Sequence, residues 1–138
     1  MKRLVICLVA ALSLLAAAAR TVPGEKVGVT FDEISYDFGN ISADSQPVVH
    51  EFIVTNTGQD AVAILKATAS CGCTRPQFDP KPLKPGKSTK IKVSFLPAGQ
   101  KGFVKKDITV RLRSGKGKSE KVTLSLEGNV VPVSKLKD

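Results

Sequence analysis

Apolar and polar residues alternate in short runs along most of the chain. Lysines at positions 90 and 92 alternate with Ile91, Val93 and Phe95, and residues 110–113 alternate in the same way. A period of two places successive side chains on opposite faces of a strand, so these runs predict strands with one buried face. No stretch after the first twenty residues has the period of an amphipathic helix. The pattern predicts an all-β protein.

Turn-forming residues separate the runs and place the individual strands. A broken first strand is predicted at residues 27–31 and 34–38, followed by strands at 48–55, 61–69 and 88–96 and a closing hairpin of 103–113 with 121–131. The proline-rich stretch 75–85 is left between strands. About seven strands with turns every ~8 to 12 residues are typical of an immunoglobulin-like antiparallel β-sandwich.

The N-terminus has the composition of an export signal. Lys2 and Arg3 precede an apolar run at residues 4–15, and residues 16–19 are alanines, the small residues that a signal peptidase accepts. The run is shorter than the ~20 residues that cross a bilayer. We therefore expect a cleavable signal peptide at 1–19 and one sandwich domain at 20–138. The mature protein is expected to be soluble, periplasmic or extracellular, and without a transmembrane segment.

Charge is distributed unevenly along the chain. The net charge of +9 becomes 19 minus 12, or +7, once Lys2 and Arg3 leave with the signal. Residues 20–80 hold four basic and eight acidic residues, whereas residues 81–121 hold thirteen and two. An export signal argues against nucleic acid as a partner, while an anionic glycan or lipid surface outside the cytoplasm remains compatible with the charge.

Much of the basic excess lies at the polar positions of predicted strands. Solvated outer faces account for such lysines and arginines, and lysines also protect sheet edges from aggregation. If the basic half does contact an anionic surface, the candidate residues are Lys90, Lys92, Lys105, Arg111 and Arg113.

Several short motifs stand in a recognisable order. They are Phe38-Gly39-Asn40-Ile41, the strand at 52–58 that ends in Asn-Thr-Gly, Ala69-Ser70-Cys71-Gly72-Cys73-Thr74, Gly102-Phe103 and Leu126-Glu127-Gly128. Together they resemble the bacterial domain of unknown function family 1573, a group of exported immunoglobulin-like domains, and the Cys-Gly-Cys-Thr element is the most specific part. The resemblance implies the fold and export, and it supplies neither an activity nor catalytic residues.

Cys71 and Cys73 are the only cysteines that remain after signal removal, because Cys7 lies within the signal. An even pair in an exported protein predicts a disulfide. Residues two apart can reach disulfide distance only in a turn, for which Gly72 is expected to give the backbone its freedom. Closing three residues contributes roughly 1.6 kcal/mol, against about 4.7 for a 100-residue loop. The pair is therefore expected to shape a loop or act as a redox couple.

Other interpretations of the pair stay open at this point. Arg75 favours a thiolate, and with Gly72 and Thr74 it forms the supporting loop. Two soft sulfurs suit Cu(I) and could recruit His50, whereas a closed zinc site lacks ligands. The two thiols could instead pack as small apolar groups. His50 shares the strand parity of Phe52 and Val54, which predicts a partly buried, hydrogen-bonded histidine. No metal site and no cofactor is assigned.

Motifs of the common enzyme classes are missing. The sequence has no phosphate-binding loop, nucleotide fingerprint or paired-histidine zinc motif, and its single histidine leaves few options for a histidine-based triad. We interpret the chain as a non-enzymatic binding or structural module of the cell envelope, whose partner is a protein or another envelope component. The alternative is a thiol-disulfide redox or Cu(I)-binding protein that uses Cys71 and Cys73.

Overall fold

The computed structural model describes residues 22–133; the predicted signal peptide at 1–19 lies outside this range. A short 3-10 helix, Glu25–Val27, precedes the first strand. Within the described residues the strands are β1 Val29–Phe31, β2 Ser35–Ser42, β3 Val48–Asn56, β4 Val62–Ala69, β5 Thr74–Phe78, β6 Ser88–Phe95, β7 Gly102–Ser114 and β8 Ser119–Val131. The all-β prediction is confirmed.

The strands form two four-stranded sheets packed as a sandwich. Sheet A has the order β1-β3-β6-β5, and sheet B has the order β2-β8-β7-β4. The broken first strand is confirmed, because its two halves, β1 and β2, belong to different sheets. Neighbouring strands are antiparallel except β2 and β8, which pair in parallel. The predicted immunoglobulin-like sandwich is confirmed, and the pair of β2 with β8 is its one departure from antiparallel pairing.

An eighth strand lies where the sequence suggested only a proline-rich connection. Strand β5 occupies residues 74–78 and pairs with β6 alone, with Pro76 opposite Val93. Proline cannot donate a hydrogen bond to a sheet and is confined to edges, and an edge is where β5 lies. Pro76 is therefore compatible with a strand at this position, because β5 is the edge strand of sheet A.

The core lies between the sheets and follows the two-residue period of the long strands. Its fully buried large side chains are Phe52, Phe95, Ile91, Ile108, Leu112, Leu124 and Leu126, together with Val29, Val54, Val62, Val93 and Val110. Phe38 of β2 stacks on Phe95 across the two sheets, with ring centroids 5.3 Å apart. Among residues 22–133, no helix is long and apolar enough to cross a membrane.

The chain crosses from one sheet to the other at both sides of the sandwich. On the side of β1 and β2, the Asp32 carboxylate accepts a hydrogen bond from the Ile53 N–H at 2.8 Å. His50 there bonds to Glu33 and stacks on Tyr36, with ring centroids 3.7 Å apart. Its side chain is 18% exposed, which confirms the partly buried, hydrogen-bonded histidine. On the other side, the crossing between β4 and β5 contains the two cysteines.

Candidate functional site

The cysteine loop connects edge strand β4 of sheet B to edge strand β5 of sheet A. A disulfide joins Cys71 and Cys73, whose Cα atoms are 5.4 Å apart. On the β4 side the Ser70 N–H donates to the Asp107 carbonyl at 2.9 Å, and on the β5 side the Leu96 N–H donates to the Cys73 carbonyl at 2.8 Å. Since Asp107 belongs to sheet B and Leu96 follows a strand of sheet A, the loop is held by both sheets.

Thr74 supports the disulfide from below. This residue is almost fully buried, and its hydroxyl oxygen lies 3.8 Å from the Cys71 sulfur and 3.7 Å from the Cys73 sulfur. Disulfide sulfurs carry no hydrogen, so the hydroxyl is the donor in these weak contacts. The predicted supporting residue Thr74 is thus brought to the cysteine pair.

Gly72 has a different role from the one expected. It is not among the glycines with a positive φ, and a Cβ placed on it would meet no atom within 4 Å. The expectation that this turn needs the conformational freedom of glycine was wrong, because an L-residue can adopt the same backbone. The missing side chain instead leaves the space above the loop open.

A groove of about 640 Å³ lies beside the loop on the outer face of sheet A. Val49, Ser94 and Arg75 occupy paired positions of β3, β6 and β5 along it. Its walls and floor are formed by Gln46, Pro47, Val49, Gly72, Cys73, Arg75, Gln77, Ser94 and Leu96. Val49 is 50% exposed and Leu96 47% exposed, so the groove offers apolar surface to a ligand.

Arg75 adds a positive charge to this groove. No carboxylate of residues 22–133 forms an ion pair with it. An apolar floor with one free guanidinium suits an extended peptide that carries an apolar and an acidic side chain. Strand addition at the open edge of β5 is less suited, because Pro76 removes an N–H from a strand of only five residues.

The five candidate contacts for an anionic surface do not share one face. Lys90 and Lys92 lie on β6 of sheet A, and Lys90 forms an ion pair with Glu51 at 3.0 Å. Lys105, Arg111 and Arg113 lie on β7 of sheet B. The sequence reasoning missed Lys66 and Lys121, which occupy the positions of β4 and β8 paired with Arg111. The period set by Val62 and Ile64 would turn Lys66 inward, and only the register shift between Ile64 and Lys66 places it outward beside Arg111. Lys121 joins them through the register of β7 with β8.

The side chains that could bind a metal remain apart. Within residues 22–133, no three His, Cys, Asp or Glu side chains form a group that could hold a metal ion. The set of Cys71, Cys73 and His50 is therefore not assembled, since His50 lies against Glu33 and Tyr36 at the opposite crossing.

Comparison with known proteins gives one family and several structures of the same fold. The model of a family described as a protein of unknown function, DUF1573, matches residues 29–130. No curated protein matches the sequence. The PapD-like domain 7 of human CEP192 is 15% identical with a TM-score of 0.64, over 83% of this chain and 92% of that one.

Two bacterial structures are also similar. The VesB protease of Vibrio cholerae is 16% identical with a TM-score of 0.63, over 77% of this chain. The periplasmic chaperone SfaE is 11% identical with a TM-score of 0.60, again over 77% of this chain. The chain spans 33% of the VesB protease and 60% of SfaE. At these identities the likeness shows the PapD-like, immunoglobulin-like fold alone.

Proposed function

The chain belongs to the DUF1573 family, which has no assigned function, and from that premise we propose that it is a non-enzymatic binding module. Its ligand is an extended segment of a partner protein that lies in the groove beside the cysteine loop. The observation that carries this proposal is the pair of half-exposed apolar side chains, Val49 and Leu96, in a concave surface that also holds Arg75.

Burial of apolar surface supplies most of the binding energy in such a site, and charge supplies specificity. A partner side chain that covers Val49 and Leu96 removes their exposed apolar area from water. A partner carboxylate can form two parallel hydrogen bonds with the Arg75 guanidinium. We therefore expect a preferred peptide to have an apolar residue close to an acidic one.

The disulfide pre-organises one wall of the groove. Gly72 and Cys73 line it, and the bond between Cys71 and Cys73 holds their backbone in a single turn. A wall that is already ordered costs less conformational entropy when a ligand binds. Because Gly72 has no side chain and no other atom lies near its Cβ position, this wall does not obstruct a bound peptide.

Export to the cell envelope is part of the same proposal. The N-terminal pattern of Lys2, Arg3 and the apolar run at 4–15 supports it, as does a disulfide-forming pair, which is typical of oxidising compartments. The similar protein SfaE is described as a periplasmic chaperone. The partner would then be a protein of the envelope.

The test is selection of binding peptides from a displayed random library, followed by affinity measurements with the selected peptides. Leu96→Ser should weaken binding roughly tenfold, because it removes about half of a leucine's burial energy. Leu65→Ser is the matched control, since Leu65 is 49% exposed and lies on sheet B, away from the groove. Equal loss in both variants, or no selected peptide at all, would contradict the groove as the site.

A second candidate function is thiol-disulfide exchange with a partner that carries two thiols. Both cysteines are partly exposed, and Cys73 lines the groove in which a partner would dock. A partner thiolate attacks one sulfur to form a mixed disulfide, and the released cysteine takes up a proton. The partner's second thiol then displaces the remaining cysteine, so the partner is oxidised to a disulfide and the Cys71–Cys73 pair gains two electrons and two protons.

The reduction potential separates the two functions. Equilibration with glutathione buffers, acid quenching and alkylation give the fraction of reduced protein by mass. If the Cys71–Cys73 pair exchanges electrons with a partner, its reduction potential should lie above about −300 mV. If the disulfide is only structural, its potential should lie below that value. Under the binding function, Cys71→Ser with Cys73→Ser keeps most of the peptide affinity, and under the redox function that double variant loses all exchange activity.

A further inference from the structure

Three cations stand in line across the outer face of sheet B. Lys66 of β4 pairs with Arg111 of β7, which in turn pairs with Lys121 of β8, and all three are exposed. Adjacent strands are ~4.8 Å apart, so the row is roughly 10 Å long at the backbone. Like charges at directly opposed positions destabilise a sheet, so this row costs the fold stability.

No carboxylate of the described residues offsets the row. The ion pairs within residues 22–133 are His50–Glu33, Lys90–Glu51 and Lys116–Asp60, and none includes a member of the row. Glu120 precedes Lys121 in the chain but is engaged elsewhere: its carboxylate accepts hydrogen bonds from the Gly24 N–H at 3.0 Å and the Val27 N–H at 3.3 Å.

The surface next to the row offers hydrogen-bond donors. A depression of about 270 Å³ is lined by Lys66, Thr68, Thr109, Arg111 and Lys121, and Thr68 pairs with Thr109 in the adjacent register. Every one of these side chains can donate a hydrogen bond, and none is a carboxylate. Such a set is complementary to the oxygens of a phosphate group.

An apolar side chain projects from the same surface. The register of β4 shifts between Ile64 and Lys66, and the extra residue, Leu65, points outward with 49% of its surface exposed. Leu65 lines a second depression, of about 420 Å³, together with Arg111, Arg113, Ser119, Glu120 and Lys121. A leucine among cations gains nothing from a hydrophilic polyanion, but an interface of lipid headgroups and acyl chains buries it.

We propose that this face of sheet B binds the phosphate groups of an anionic lipid surface. Lys66, Arg111 and Lys121 contact the phosphate oxygens together with the two threonine hydroxyls, and Leu65 enters the boundary below the headgroups. The face shares no residue with the groove on sheet A, so it stands or falls independently of the peptide-binding function.

Vesicle co-sedimentation of the full chain tests the assignment. The measured quantity is the affinity for phosphatidylcholine vesicles that contain phosphatidylglycerol, divided by the affinity for vesicles of phosphatidylcholine alone. An apolar contribution that is the same for both kinds of vesicle cancels in this ratio. Arg111→Gln with Lys121→Gln should lower this ratio roughly 25-fold, at about 5-fold for each of the two charges. Thermal unfolding of this variant should be unchanged or shifted upward, since like-charge repulsion is relieved.

Lys90→Gln with Lys92→Gln is the matched control, because it removes the same charge from sheet A. It should keep most of the preference for anionic vesicles, and an equal loss would overturn the site in favour of net charge alone. Leu65→Ser should weaken binding to anionic vesicles several-fold. If inorganic phosphate at constant ionic strength releases the protein from the vesicles, and Leu65→Ser has no effect on binding, the ligand is free phosphate and the lipid assignment is overturned. Binding to heparin but not to vesicles would overturn it in favour of a polysaccharide.

Discussion

Gly128 of β8 lies where no other residue fits. A Cβ at this position would overlap the ring of Phe38 and approach the Gly39 carbonyl to 2.8 Å. Strand β2 is bulged here, with its register against β8 shifting between Asp37 and Asn40 and Gly39 at a φ of +70°. The bulge seats Phe38 over Gly128. Two motifs that stand far apart in the sequence therefore form one contact.

Gly128→Ala should lower the free energy of unfolding by about 1–3 kcal/mol, since the added methyl group displaces the Phe38 ring from Phe95. Urea denaturation followed by circular dichroism measures the change. Gly72→Ala serves as the control, because a Cβ there meets nothing, and it should change stability by less than about 0.5 kcal/mol. If the two variants lose similar amounts of unfolding free energy, the structure around residue 128 accommodates the added methyl group with little energetic penalty.

Single residues were predictable from the sequence where the strand period alone decides their environment. His50 was placed correctly because its parity matches Phe52 and Val54. Asn56 lies one residue beyond the predicted strand at 48–55, yet it is fully buried and its amide donates to the Asp60 and Leu83 carbonyls at 2.8 Å each. Asp60 is only four residues away, but Leu83 is 27 residues away, and no local pattern encodes that second partner.

At the scale of elements, one carboxylate attaches the N-terminal 3-10 helix to the sandwich. The helix Glu25–Val27 contains a single turn, which is too short to be stable alone. Glu120 on β8 accepts hydrogen bonds from the N–H groups of Gly24 and Val27. The ordering of this helix therefore depends on a residue almost a hundred positions later in the chain.

Glu120→Ala should release the helix while leaving the sheets intact. We expect the amides of residues 24–29 to exchange hydrogen at least tenfold faster, with a loss of about 1–2 kcal/mol in stability from two hydrogen bonds. Hydrogen-deuterium exchange with mass spectrometry resolves the segment. Glu127→Ala is the matched control, because Glu127 lies on the same strand opposite Lys105 and should leave residues 24–29 protected. Unchanged protection in Glu120→Ala would assign the order of the helix to its other contacts, which are the burial of Val27 and the hydrogen bonds that the Gly28 carbonyl accepts from Thr57 and Gly58.

Strand assignment from the sequence worked for the long elements because each has a clear period of two. It missed β5, whose five residues include Pro76, since proline lowers strand propensity without excluding an edge. It also gave no indication of the parallel pairing of β2 with β8. That pairing depends on the chain crossing between sheets after β1, which is a property of the assembled sandwich.

At the scale of the whole molecule, the two outer faces differ in chemistry. Sheet A carries the groove with Val49, Leu96 and Arg75, and sheet B carries the row of Lys66, Arg111 and Lys121. The basic second half of the sequence predicted neither face by itself, because β6 and β7 are consecutive in the chain but lie in opposite sheets. The pairing register of β4, β7 and β8 brings Lys66, Arg111 and Lys121 together, and the composition of the sequence does not predict this.

The fold as a whole should not depend on the disulfide. Cys71→Ser with Cys73→Ser is expected to lower the free energy of unfolding by only about 1.6 kcal/mol, because the closed loop has three residues and the core lies between the sheets. Denaturation of the double variant and of reduced wild-type protein should give the same midpoint. A variant that fails to fold would instead assign the disulfide a central structural role.

The parallel pairing of β2 with β8 also determines when the molecule can finish folding. The hydroxyl of Ser125 reaches that of Ser35 across 90 positions of sequence. Synthesis proceeds from the N-terminus, and contacts of such long separation are slow to form. Sheet B therefore stays incomplete until β8 has emerged, because β8 lies between β2 and β7. A chain whose second sheet cannot close early suits any secretion route that threads unfolded polypeptide.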